Sequence, residues 1–484
     1  MRFASIALAA TAVVACKKTP APKPPAPAVP MPTEVFAVVT LPTIDASVPR
    51  LATYIDQISP GDGAEMRAEL DAELKPRAID GSRPIYFVVM VPPAGSDEPD
   101  GVVVAATRDP AATSKQLDGD EIVRVAGEWA VIGNARSVDR AFAWATTALV
   151  ATPAPKRATA VLYAAPARAR WAAELRAQLD DDGDTPPPLR DLVLGLVEQT
   201  EKVEAFADFK DDDLVLELML TPRAGTTLEN VLAAQKPSTF ALFERLPMAQ
   251  PLGAMAGHLA LGELARPAED LLIAAITSEL GDSAPDLGQR VNALVEALFD
   301  VGTGEYAGVT IIAANSVINT FGVTDAARVG VAIDRVADAL RALPLPPGLQ
   351  LDLARSTHAG VAMTVATLFA GKAPVASGAW ATWKDTLAFS LTDPEGALLR
   401  ETIDNTRKSH ALPPDVARAL ADARTRGDSL VTIFDVLPGD EHPLVFSLGV
   451  RTTSAYVWMR VSAAQAAALS NFRDGDGDEP ADDD

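Results

Sequence analysis

The stretch Val123-Arg124-Val125-Ala126-Gly127-Glu128-Trp129-Ala130-Val131-Ile132-Gly133 decides how the body of this chain is read. Two runs rich in β-branched and aromatic residues flank Gly127-Glu128, and glycine at the first central position suits a type II′ hairpin turn. The strand pattern stops near Ser137, a candidate N-cap, and a helical spacing of apolar residues runs from Val138 to about Leu149. The local unit predicted is strand, tight turn, strand, helix. Hairpins followed by helices build antiparallel sheets, so the expected fold class is α+β rather than a doubly wound parallel sheet, with helices packed on one face.

The unit recurs along the chain. Residues 379–390 are hairpin-like, and Asp393-Pro394-Glu395 supplies a cap, a first-turn proline and a carboxylate for a helix to about Thr406. Val203–Phe209 and Leu214–Leu220 flank an acidic turn before a helix near 227–234, and 309–313 with 317–321 precede a helix at about 325–340. Residues 32–42 and 237–247 are both bounded by prolines, end in Leu-Pro, and read as matching strands. Together these pairs predict two related lobes, 33–235 and 236–472, from a diverged internal duplication, with extra helix in the second lobe at about 267–281 and 286–299. The competing reading is that α+β proteins simply reuse such units. The proline-flanked strand and repeated strand–helix units also resemble exported bacterial domains of unknown function, a resemblance that implies no activity.

The N-terminus carries a different signal. Met1-Arg2-Phe3 gives a basic start, the apolar run to Ala15 is too short for the roughly 20 residues of a bilayer span, and small residues lead to Cys16. Val13, Val14, Ala15 and Cys16 resemble the lipobox of bacterial lipoproteins, with valine at Val13 where leucine is commoner. The resemblance covers residues 1–16. It implies that residues 1–15 are a cleaved signal peptide and that Cys16, the only cysteine, carries a diacylglyceryl group. Lys17 stands where an aspartate would favour retention at the inner membrane, which implies an outer-membrane anchor facing the periplasm or the cell surface. Residues 16–32 are proline-rich; in a polyproline II conformation they would form a tether of roughly 40 Å.

Composition narrows the function classes. The chain has 484 residues, 48% hydrophobic, enough for two or three domains. A net charge of −23 disfavours nucleic acid. The absence of any further cysteine excludes disulfides, thiolate metal sites and a thiol nucleophile in the body. The acidic stretch 473–484 has nothing apolar to bury and is expected to be disordered.

Catalytic motifs are missing. His258, His358, His410 and His442 are too far apart to make a helical metal pair, and no H-E-x-x-H, G-x-S-x-G or P-loop occurs. Gly302-Thr303-Gly304 reads as a turn. Asp180, Asp182 and Asp184 have oxygen ligands suited to Ca²⁺ but lack the glutamate at loop position 12 of an EF-hand. Trp129, Trp144, Trp171, Trp380, Trp383 and Trp458 could stack on sugars, but aromatics are only 5% of the chain and core packing is the better reading for most; Trp380 and Trp383, three apart on a strand, should face opposite sides. No cofactor is expected. The resulting expectation is a non-enzymatic binding, scaffold or accessory component of the cell envelope, joined to the membrane through Cys16 and to an envelope protein partner. The alternatives are a carrier of an apolar ligand or lipid in a cleft between the lobes, and a hydrolase with dispersed carboxylates.

Overall fold

The computed structural model describes residues 29–75, 77–92, 100–115, 121–181, 187–210, 213–248, 251–262, 265–280, 285–311, 315–393, 395–408, 411–434 and 443–474. In chain order the elements are β1 (Val35–Leu41), α1 (Ile44–Ile58), α2 (Asp62–Leu74), β2 (Ile85–Met90), β3 (Asp100–Ala106), α3 (Pro110–Lys115), β4 (Glu121–Ala126), β5 (Trp129–Asn134), α4 (Ala135–Trp144) with a π turn (Ala145–Leu149), β6 (Ala158–Tyr163), α5 (Ala164–Asp181), α6 (Pro187–Gln199), β7 (Thr200–Lys210), β8 (Asp213–Pro222) and α7 (Thr227–Ala234). Then follow β9 (Pro251–His258), α8 (Ala265–Leu280), α9 (Pro285–Val301), β10 (Gly302–Ile311), β11 (Ser316–Val323), α10 (Ala326–Ala342), β12 (Leu349–His358), β13 (Val361–Ala370), β14 (Ala373–Trp383), β15 (Thr386–Leu391), α11 (Ala397–Asn405), α12 (Pro414–Arg426), β16 (Asp428–Phe434), β17 (Leu444–Arg451), β18 (Ser454–Val461) and α13 (Ala463–Asp474).

The fold is α+β, built on one antiparallel sheet of 18 strands among the described residues. The strands lie in the order β4-β5-β3-β2-β1-β6-β7-β8-β18-β17-β16-β9-β10-β11-β15-β14-β13-β12, and every neighbouring pair is antiparallel. Open sheets rarely exceed about ten strands. This one reaches its width because two series meet edge to edge at β8 and β18, where Leu214–Leu220 pair with Ala455–Val461. From the outer edge to this seam the first series runs 4-5-3-2-1-6-7-8. The second runs 14-15-11-10-9-16-17-18, with β12 and β13 added outside β14.

Direct partners in an antiparallel ladder share a face. Val38, Val161, Glu204, Met219 and Tyr456 thus lie on the front face, and Ala37, Leu162, Val203, Leu220 and Ala455 on the back. In the first half the front core joins Val38, Val88, Val104 and Val131 to Val138, Ala141 and Trp144 of α4. In the second half it joins Ala256, Val309, Ile318 and Val431 to Leu399 and Ile403 of α11 and Leu420 of α12. A separate cluster on the back packs Leu387 and Val323 against Val329 of α10 and Val301 of α9. Adjacent residues Leu387 and Ala388 on β15 therefore feed opposite cores. Helices cover both faces, which corrects the expectation of one covered face: both faces of these strands are apolar, so each needs a helical layer.

Other local expectations are also corrected. The hairpin at 123–133 forms as β4–β5, with Gly127 at φ +62°, but Asn134 rather than Ser137 caps the next helix, its Oδ1 accepting from the Ser137 N–H at 2.8 Å. Residues 237–247 are not a strand. Phe240 takes φ +55°, Phe243–Arg245 form a 3-10 turn, and Phe240, Phe243 and Leu246 plug the front core. Their spacing of three matches a 3-10 repeat, with no period-two pattern to hold a ladder. The strand that takes the place of β1 is β9. The helices expected near 267–281 and 286–299 form as α8 and α9, but they follow β9 as α1 and α2 follow β1; the addition to the second half is the β12–β13 hairpin. Likewise β7–β8 matches β17–β18 in sheet position, not β10–β11. Arg473 and Asp474 end α13, and the rest of the acidic tail lies outside the described residues.

Polar contacts lock the seam on its front face. Arg460 of β18 donates to Asp213 of β8 at 2.5 Å, and Arg451 of β17 reaches Glu217 of β8 at 2.5 Å while Arg157 takes the other Glu217 oxygen at 2.8 Å. Asp428, fully buried, accepts from Arg426 at 2.7 Å and from the Tyr456 hydroxyl. Removing one partner of a buried pair costs about 3–5 kcal/mol, whereas exposed pairs contribute roughly 0–1 kcal/mol. Asp428→Ala is expected to lower the denaturation midpoint sharply. Glu128→Ala, which breaks the exposed pair with Arg83, should barely move it. Equal shifts in a urea titration would contradict this account of the seam.

Candidate ligand-binding site at the seam

The two faces of the seam differ in chemistry because β8 alternates Asp213, Val215, Glu217 and Met219 with Leu214, Leu216, Leu218 and Leu220. On the front, three arginines lie over rings: Arg157 on Phe206 at 3.9 Å, Arg426 on Trp458 at 3.9 Å and Arg451 on Tyr456 at 4.2 Å. Burial, and next the Asp428 carboxylate, push the Tyr456 phenol well above its ordinary range, so it stays a donor. Asp213, Glu217 and Asp428 are each held by arginine, Glu269 by Arg266, and Asp393 accepts from Ser390 and the Ala397 N–H. These buried carboxylates are engaged in ion pairs and hydrogen bonds that hold the fold. Only about 30 Å³ of room remains beside Trp458, between Val445 and Arg426, enough for about one water.

The back of the seam is apolar; Tyr54 of α1 covers its Leu214 end beside Phe209, and Leu218 is exposed. The four leucines of β8 point there, beside Ala205 and Ala207 on β7, Ala158 and Ala160 on β6, and Ala455, Val457 and Met459 on β18. Leu218 is 48% exposed although it sits on a central strand. Leu162 and Phe87 on the same face are also exposed. In the helical layer α5 rests on β1 and β7, α7 rests on β18, and α6 packs on α5, α7 and α8. Leu189 and Leu196 of α6 are exposed, as is Leu272 of the adjoining α8. Exposed apolar side chains on both the sheet and these helices make this face a candidate binding surface.

The residues singled out in the sequence fall elsewhere. Val13, Val14, Ala15 and Cys16 lie outside the described residues, as do Asp182, Asp184, His410 and His442. Asp180 ends near the C-terminus of α5, where Arg190 donates to it at 2.9 Å. Among the described residues no three metal-binding side chains gather. His358 pairs with Asp404 at 2.9 Å. Trp129 and Trp144 are buried in the front core, and Trp171 meets Phe36 edge-on. Trp383 joins the front core, while Trp380 lines a hollow of about 310 Å³ on the back with Leu368, Phe389 and Leu391. The leucine row of β8 was missed as a site because an alternating strand reads as half-buried sheet, and the sequence does not say which half stays uncovered.

No family model matches the chain, and no curated protein matches it. Among solved structures it is similar to TP0453 in its crystal form IV, with 9% identity, a TM-score of 0.25, and coverage of 49% of this chain and 97% of that one. Among the described residues no helix is long and apolar enough to cross a membrane.

If the back of β8 is open, trimming it should be tolerated. Leu218→Ala is expected to cost less than about 1 kcal/mol, whereas Leu399→Ala, from a fully buried site, should cost about 2–5 kcal/mol. Chemical denaturation of the two variants compares them directly; a Leu218→Ala loss as large as that of Leu399→Ala would mean the leucine row is packed.

Proposed function

We propose that this chain is a lipid-anchored, non-enzymatic binding protein of the cell envelope, and that it carries an apolar ligand at the back of the β8–β18 seam. The anchor rests on the lipobox-like run Val13–Cys16 and the proline-rich segment that follows it. The observation that carries the binding role is Leu218, nearly half exposed on a central strand between its ladder partners Ala205 and Val457. Exposed apolar surface in the middle of a sheet favours an apolar ligand. The lipobox resemblance, with Lys17 after Cys16, supports an outer-membrane location facing the periplasm or the cell surface.

The two lobes, in this reading, descend from one duplicated unit. Its support is the repeated strand order and the equal turns closing β7–β8, at Lys210 and Asp213, and β17–β18, at Arg451 and Ser454. Glu217 and Trp458 stand at the same distance beyond these turns, and they pair with each other, as a pseudo-twofold axis at the seam requires. The ligand site would then lie between the lobes.

Two measurements test the proposal. Growth of the source cell with an alkyne fatty acid should label the native protein and leave Cys16→Ser unlabelled; label persisting in the variant would remove the anchor. Native mass spectrometry of gently purified Cys16→Ser protein should show added mass that is lost on organic extraction. A bare mass, together with no binding of an apolar dye, would remove the carrier role.

A further inference from the structure

We propose that the outer edge of β12 is a dimerisation edge, to which a second copy of this chain adds its own β12 in an antiparallel ladder centred on Leu351. The inference stands apart from the carrier reading. The two ends of the sheet are built differently. At one end β4 is six residues long, α3 and α4 rest on it, and its charged side chains Glu121 and Arg124 pair with Arg77 and Asp139. At the other end β12 is ten residues long, pairs with β13 without a bulge, and contains no proline or lysine. Among the described residues no strand lies outside it. Edges are normally blunted by shortness, proline, lysine, a bulge or a covering element, and a long edge without these devices is a template for another strand.

The turn fixes which groups point outwards. Ala359 at φ +47° and Gly360 at φ +77° form a two-residue turn, so His358 and Val361 exchange backbone bonds. Counting back in twos, Gln350, Asp352, Ala354 and Ser356 bond to β13, and Leu351, Leu353 and Arg355 turn their N–H and C=O groups to the edge. The sequence of this edge selects the partner. Leu349-Gln350-Leu351-Asp352-Leu353 is self-complementary when two copies run antiparallel: Leu351 meets Leu351, Leu349 meets Leu353, and Gln350 meets Asp352. The leucines lie on the back, where Leu351 borders the hollow beside Trp380, so the pairing continues apolar surface across the join. Gln350 and Asp352 are exposed on the front, where amide and carboxylate can bond. A slip by two residues would set Asp352 against Asp352, and a slip by one would set leucines against polar side chains. This match of the edge to itself favours a second copy over an unrelated peptide. The chain already joins two series of strands edge to edge in the same antiparallel manner at β8 and β18.

The test is sedimentation velocity on residues 16–484 carrying Cys16→Ser, which keep every described residue. A short ladder predicts a reversible dimer that grows with concentration. Leu351→Pro removes an outward N–H that β13 does not use, and should leave a monomer with an unchanged circular dichroism spectrum. Gln350→Asp, at an exposed position, opposes carboxylates on both sides of the twofold axis and should weaken the dimer about tenfold. Adding Asp352→Gln exchanges the two side chains and should restore it. Leu351→Cys, the only cysteine in this background, should give a disulfide-linked dimer on mild oxidation, since directly opposed residues of a bonded pair have Cα atoms about 5.5 Å apart. A parent protein that stays monomeric throughout the concentration series would overturn the inference. So would a dimer of full affinity in both Leu351→Pro and Gln350→Asp, which would place the interface elsewhere. A double variant as weak as Gln350→Asp would overturn the register. Leu351→Cys linked in cells to a different protein, and not to itself, would give the edge to that partner and overturn the second copy.

Discussion

The ladder between β8 and β18 is the contact on which the architecture depends. It turns two series of strands into one sheet, and it does so between segments far apart in the chain, Leu214–Leu220 and Ala455–Val461. Backbone pairing alone would leave the register free to slip, since both strands carry apolar residues on their back face. The front-face charges remove that freedom. Arg460 meets Asp213 and Arg451 meets Glu217 in only one register, and a slip by one residue would turn these carboxylates towards the leucine side. Tyr456 and Arg426 tie the same strands to Asp428 at the start of β16. The ionic front therefore specifies the seam, and the apolar back is released from that duty.

How much of this was legible in the sequence varies with the range of the interactions. The hairpin at Gly127 and the helix capped by Asp325 follow from local turn and capping chemistry, and both form. The α+β class follows from the same local units. The failures lie where tertiary burial overrides pattern. Phe240, Phe243 and Leu246 look strand-forming between their prolines, yet the front core takes them as a plug. Ser137 looks like a cap, yet it is almost fully buried and Asn134 performs the capping. The pairing of β8 with β18 has no local signature, because nothing at either strand names its partner.

The site was hidden for a related reason. Alternation on β8 announces one wet and one dry face, and charge at Asp213 and Glu217 suggests that the charged face is the wet one. The reverse holds at Glu217, where two arginines bury the carboxylate, while Leu218 on the other side stays open. Only the placement of α5, α6 and α7 decides this, and their amphipathic patterns do not state how closely they approach the sheet. His358 and Asp180, conspicuous by residue type, contribute ordinary side-chain pairs, with Asp404 and Arg190 respectively.

The unbroken ladder also governs how the molecule can move. Two lobes joined by a linker can hinge about it, opening and shutting a cleft by rigid rotation. Here the two series of strands share a sheet, and separating them would break the seam's hydrogen bonds and its buried ion pairs together. Hinge closure at the seam is thus forbidden by the contact that joins them. Any breathing is left to the helices that flank the sheet, which can shift locally over a stiff base.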